Sequence, residues 1–167
     1  AAAMRRLLGR GGVIAGTSAG LAMMSDPMFF GGRSVEALGM RPPSARAEGS
    51  EDEDKTAEQP PLGPRIGKGM GVLPWAIADS HFFERHRFGR LVAALEASGV
   101  RLGVGVGEDA CVEVDLATGE MTGVSVAESL LVDAGAIERD GLTRRGVRTL
   151  VIGRGMRVSL IERVKRP

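Results

Sequence analysis

The chain has 167 residues, enough for one α/β domain with a buried core, and 43% of them are hydrophobic. A formal net charge of +1 argues against nucleic acid or an acidic membrane surface as its main partner. One cysteine excludes an intrachain disulfide framework, two histidines five residues apart give no metal-ligand pattern, and no apolar run is long enough to span a bilayer. No metal and no cofactor are expected, and the expected setting is cytoplasmic.

In chain order, residues 1–9 read as the tail of an amphipathic helix stopped by Gly9, Gly11 and Gly12. A buried strand is expected over 12–16 and a helix over 18–24, with Asp26-Pro27 and Gly31-Gly32 closing the region. Residues 41–66 hold almost no large apolar side chain and many acidic ones, which predicts a flexible, solvated insertion in a domain otherwise running from 1 to 167, with an acidic partner-binding tract as the other reading. The stretch 68–78 leads through Pro74 into a strand, and a helix follows from Leu91 to Ala97, ended by Ser98-Gly99. Strands are expected over 104–106, 110–114, 122–126 and 129–133, with a tight turn over 115–120. Residues 148–152 and 156–163 are expected to pair as a terminal hairpin around Gly153-Arg154-Gly155, and Cys111 reads as a buried strand residue.

The stretch Gly16-Thr17-Ser18-Ala19-Gly20, between an apolar run and a helix start, has the pattern of a nucleophile elbow. Its glycines would let strand and helix pack closely, and the Ala19 amide could donate to a developing oxyanion. The alternative is a Gly-rich turn whose serine caps the helix. A serine nucleophile needs a base, and the base needs an orienting acid. His81 follows an expected strand, where sites in α/β sheets gather, and is the candidate base, whereas His86 lies in an Arg-rich turn and reads as solvated. Glu108 and Asp109 follow another short strand and are the candidate acids. Arg85, Arg87 and Arg90 crowd the turn after His81, where guanidinium forks would suit a substrate carboxylate; an exposed charged helix start is the other reading.

These residues resemble the cyanophycinases and related serine peptidases, a group that includes aspartyl dipeptidases. The resemblance rests on Gly11 to Gly20, on Gly69-Met70-Gly71-Val72-Leu73-Pro74 running into Asp79-Ser80-His81-Phe82, on Arg85 to Leu91 and on Gly103 to Ala110. It covers roughly residues 1–30 and 66–115. It implies a flavodoxin-like α/β sandwich, similar to class I glutamine amidotransferases, with a mostly parallel central sheet, here followed by C-terminal β-hairpins. It implies Ser18 as nucleophile, His81 as base and Glu108 as orienting acid, with Gly16, Ala19 and Gly20 forming the elbow and oxyanion turn. Asp79, Ser80, Arg85, Arg87 and Arg90 would bind a peptide carrying aspartyl or β-aspartyl groups, and a homodimer is implied. Ser80 stands where the group has glutamine, which removes an amide donor and acceptor from the implied pocket. The group also has a substantial region before the elbow helix, so a partial domain is expected.

Three functions follow from this reading. The first is a serine exopeptidase acting through an acyl-serine. The second is an inactive or incomplete subunit of the same shape that binds or assembles. The third, a nucleotide binder on Gly103-Val104-Gly105-Val106-Gly107, lacks the G-x-G-x-x-G spacing and its later acidic residue.

Overall fold

A computed structural model of the chain describes residues 2–34 and 64–165, so most of the acidic stretch expected at 41–66 lies outside the described residues. The described part is α/β, dominated by strands. The helices are α1 (Ala2–Leu8), α2 (Ala19–Ala22), α3 (Phe88–Ser98) and α4 (Leu160–Lys165). The strands are β1 (Met28–Gly31), β2 (Arg65–Gly67), β3 (Ala76–Asp79), β4 (Leu102–Val106), β5 (Val112–Val114) and β6 (Glu120–Gly123). After them come β7 (Ser129–Asp133), β8 (Glu138–Asp140), β9 (Thr143–Arg145), β10 (Arg148–Ile152) and β11 (Arg157–Ser159).

The main sheet has the order β10-β7-β4-β3. Only β3–β4 is parallel; β4–β7 and β7–β10 are antiparallel, so the described sheet is mixed and not mostly parallel. Every residue of β3 and β4 is buried, the run of apolar residues expected of strands covered on both faces. One face carries Ala76, Ala78, Leu102, Val104, Val106 and Leu131, packed with Met121, Val158 and Leu160 from β6, β11 and α4. The other carries Ile77 and Val132, packed with Phe82 and with Leu91, Val92 and Leu95 of α3. The glycines of β4 make that second face possible. A Cβ on Gly103 would come within 2.8 Å of Leu91 Cδ1, and one on Gly105 within 2.4 Å of Phe82 Cγ. Close packing of α3 and Phe82 therefore accounts for the glycine run that could be read as a nucleotide loop. Helix α3 stops at Gly99, whose φ of 71° is left-handed and whose amide returns to the Leu95 carbonyl.

Four sequence expectations change. Residues 12–17 are irregular, with Val13 84% exposed, because no described strand pairs with them. Residues 28–31 and 65–67, not expected as strands, pair antiparallel as β1 and β2. The terminal hairpin does not form: β10 pairs with β7, β11 pairs with β6, and the chain then enters α4. Cys111 is exposed, because it lies just ahead of β5.

Candidate active site

The site grows from the ends of two neighbouring parallel strands. Asp79 of β3 is in register with Gly105 of β4, and the Phe82 amide donates to the Val106 carbonyl at 3.1 Å. His81 and Glu108 thus leave adjacent strand ends on the same side, each two residues beyond its strand. His81 Nδ1 lies 2.8 Å from Glu108 Oε1, and His81 Nε2 lies 2.9 Å from Ser18 Oγ. Serine, imidazole and carboxylate form one continuous line. The carboxylate on Nδ1 favours a proton there, which leaves Nε2 as an acceptor for the serine hydroxyl.

The backbone at these positions is strained. Ser18 has φ 51° and ψ −119°, and His81, His86 and Asp109 have φ of 46°, 49° and 59°. No other non-glycine residue among the described residues has positive φ, so every such position falls in the segments that carry the three side chains. Strain of this kind persists only where surrounding structure imposes it, and it gathers at functional sites. At the elbow, a Cβ on Gly16 would come 2.5 Å from the Gly20 carbonyl oxygen, so glycine is required there. Gly20 differs: a Cβ would meet open space, which corrects the expectation that both flanking glycines avoid a clash. The Ala19 amide donates to no acceptor among the described residues and stands free beside Ser18.

The Ser18 segment is fastened to β3 and to the loop before it by polar contacts. Buried Ser25 donates its hydroxyl to the Ala22 carbonyl at 3.0 Å and accepts from the Ala78 amide at 3.2 Å. The Met70 and Leu73 amides donate to the Met23 and Met24 carbonyls, each at 2.8 Å.

The remaining predicted site residues divide. Asp79 is fully buried and holds Arg90 in a two-pronged pair, Nε to Oδ2 at 2.7 Å and Nη2 to Oδ1 at 2.5 Å. Arg90 also donates to the Gly32 carbonyl at 2.9 Å, and its guanidinium lies over the Phe29 ring. Ser80 is buried, and its carbonyl accepts from Arg87 Nη1 at 2.7 Å. Arg87 reaches Asp79 Oδ1 at 3.3 Å; burial, and then the nearby Arg90 charge, push its pKa down, against the pull of Asp79. In place of an open substrate pocket, Asp79 and Arg90 therefore brace the end of β3 from inside. Arg85 is exposed and has no ion pair among the described residues, and His86 is exposed as expected. Sequence reading missed Glu84, whose Oε1 accepts from the Glu108 amide at 2.9 Å.

No family model matches the chain. Curated relatives do. A cyanophycinase of Trichormus variabilis is 36% identical over 104 residues, 61% of this chain and 28% of that protein. A cyanophycinase of Geminocystis herdmanii is 35% identical over 98 residues, covering 59% and 28%. One of Synechococcus elongatus is 32% identical over 99 residues, covering 59% and 24%. The chain is cyanophycinase-like over this stretch. It spans about a quarter of the length of the curated relatives it matches. No helix among the described residues is long and apolar enough to cross a membrane.

Proposed function

We propose that this chain carries the catalytic centre of a serine-type exopeptidase that cleaves cyanophycin, an arginylated poly-aspartate, or a related aspartyl peptide. The observation that carries the reading is the line Ser18–His81–Glu108, with spacings of 2.9 and 2.8 Å. Ser18 Oγ attacks the scissile carbonyl while His81 Nε2 takes its proton. The Ala19 amide donates to the oxyanion. The C–N bond then breaks as His81 passes the proton to the leaving amine, leaving an acyl-Ser18. Water, deprotonated by the same imidazole, frees the acid. Glu108 holds the ring and stabilises the imidazolium. Arg85 is the exposed guanidinium in the turn after His81 and is assigned to a substrate carboxylate, with Arg87 adding positive field behind it. The proposal includes the flavodoxin-like sandwich, with β3–β4 as its parallel pair, and a cytoplasmic homodimer.

Incubating the protein with cyanophycin should release β-Asp-Arg dipeptides, and Ser18→Ala should release none while staying folded. Equal release by the variant would end the assignment. A second reading, a cyanophycinase-like binding or assembly subunit, is favoured by the exposed elbow run, where Val13 is 84% accessible. A folded wild-type protein that binds cyanophycin without releasing dipeptides would support it.

A further inference from the structure

Glu108 is poorly placed to hold itself. Its side chain is 56% exposed, and it sits on a turn whose next residue, Asp109, has a left-handed φ of 59°. A carboxylate on a solvated turn loses rotamer freedom when it binds an imidazole, and burial does not compensate for that loss here. Something else must set where the turn lies.

We propose that Glu84 is the positioning residue of this acid arm: its carboxylate clamps the Glu108 backbone and so keeps Glu108 on His81. Three observations carry this, and the inference rests on the proposed triad. First, Glu84 Oε1 accepts the Glu108 amide at 2.9 Å. Second, Glu84 lies three residues after His81 in the same turn, so base and clamp move together. His81, the Glu108 side chain, the Glu108 amide and Glu84 close into a ring. Third, the loop is pressed onto this turn: a Cβ on Gly107 would come 3.0 Å from Phe83 Cδ2 and 3.3 Å from Glu84 Oε1. Glycine at 107 lets the acid turn settle where Glu84 can reach its amide.

The clamp is ionised. The Glu84 backbone amide, then the Glu108 amide and the neighbouring His81, hold its carboxyl below the ordinary range against a desolvation penalty. A charged acceptor strengthens the bond to the amide. Glu84 does not touch the reacting atoms; it acts through Glu108.

The test uses the 167-residue protein, Glu84→Ala and Glu84→Gln, with two readouts. One is the second-order rate of Ser18 modification by a fluorophosphonate. The other is the downfield NMR resonance of the His81 Nδ1 proton, which depends on the bond to Glu108 and not on turnover. Glu84→Ala should slow modification on the order of tenfold and broaden or lose that resonance. Glu84→Gln keeps an oxygen acceptor and should recover most of both. Glu84→Ala within twofold of wild type, with the resonance intact, would overturn the clamp. So would Glu84→Gln as impaired as Glu84→Ala. A wild-type protein that shows the proton but never reacts would count against the serine-peptidase reading, and the resonance in the two variants would still decide the role of Glu84.

Discussion

The two sides of the site are built differently. The proposed base and acid stand just past two neighbouring strands of a packed framework: β3 and β4 are buried along their whole length, and Ile77 is fully enclosed. The proposed nucleophile stands between an irregular segment with Val13 84% exposed and a helix of four residues. Its position depends on a few polar ties, chief among them the Ser25 hydroxyl. Substitutions within the buried strands and their packing should therefore act first on stability, whereas substitutions of the three site side chains should act first on reactivity and those near Ser18 on both.

The largest expected effects are chemical. His81→Ala should cut the rate of Ser18 phosphonylation by ~10⁴-fold or more with the thermal midpoint nearly unchanged, and Glu108→Gln should follow with a smaller loss. Comparable rates for all three proteins would break the comparison on its catalytic side.

Next comes the framework. Arg90→Ala removes the main partner of a carboxylate whose side chain is 1% exposed, and it should cost about 3 kcal/mol in a urea titration. A loss below about 1 kcal/mol would mean that the pair does not brace the strand end. Gly105→Ala, which drives a methyl group into Phe82, should cost about 1–3 kcal/mol by overpacking, read from the same titration.

Ser25→Ala sharpens the contrast, since it leaves the buried Ala78 amide without its acceptor. It should cost about 1–2 kcal/mol and slow phosphonylation by more than that stability loss explains, because it loosens the Ser18 segment from the base. Equal rates for Ser25→Ala and wild type would remove the tie from the account.

The smallest effect is a pH dependence far from the site. Asp133 pairs with Arg101 at 2.8 Å. Its carboxyl is held below the usual carboxylate range although burial pushes the other way, because the Arg101 bond and the Gly135 amide favour the anion. A lowered folded-state pKa adds stability that is fully present above the unfolded value and is lost as pH falls through the folded one. Stability should therefore decline from about pH 4 downward, and Asp133→Asn should flatten part of that slope in acid titrations.

How much of this was legible in the sequence follows the same division. Ser18 and His81 could be named because each lies in a short local pattern just past an apolar run, and strand ends are where α/β sheets gather functional groups; the same ground offered Glu108 and Asp109 together, and only the family resemblance singled out Glu108. The strands 129–133 and 148–152 were read at their observed bounds, but the pairing of β11 with β6 was not, because partner choice across a sheet is not a local property. Asp79 reads as a pocket residue from the family resemblance, and Arg90 because guanidinium forks suit a substrate carboxylate. Only the covering of β3 on both faces turns them inward. The segment 12–16 has a strand's composition without a described partner, and composition alone does not make a ladder. Glu84 left one readable trace, an acceptor three residues past the base in a turn, which gains meaning only once the Glu108 amide lies beside it.

The central claim is that Ser18 is an activated nucleophile within this chain. Intact mass after fluorophosphonate treatment, beside Ser18→Ala, tests it most directly. The account predicts a single adduct on the wild-type protein and none on the variant. A folded wild-type protein with no adduct, or an adduct that survives the substitution, would contradict it.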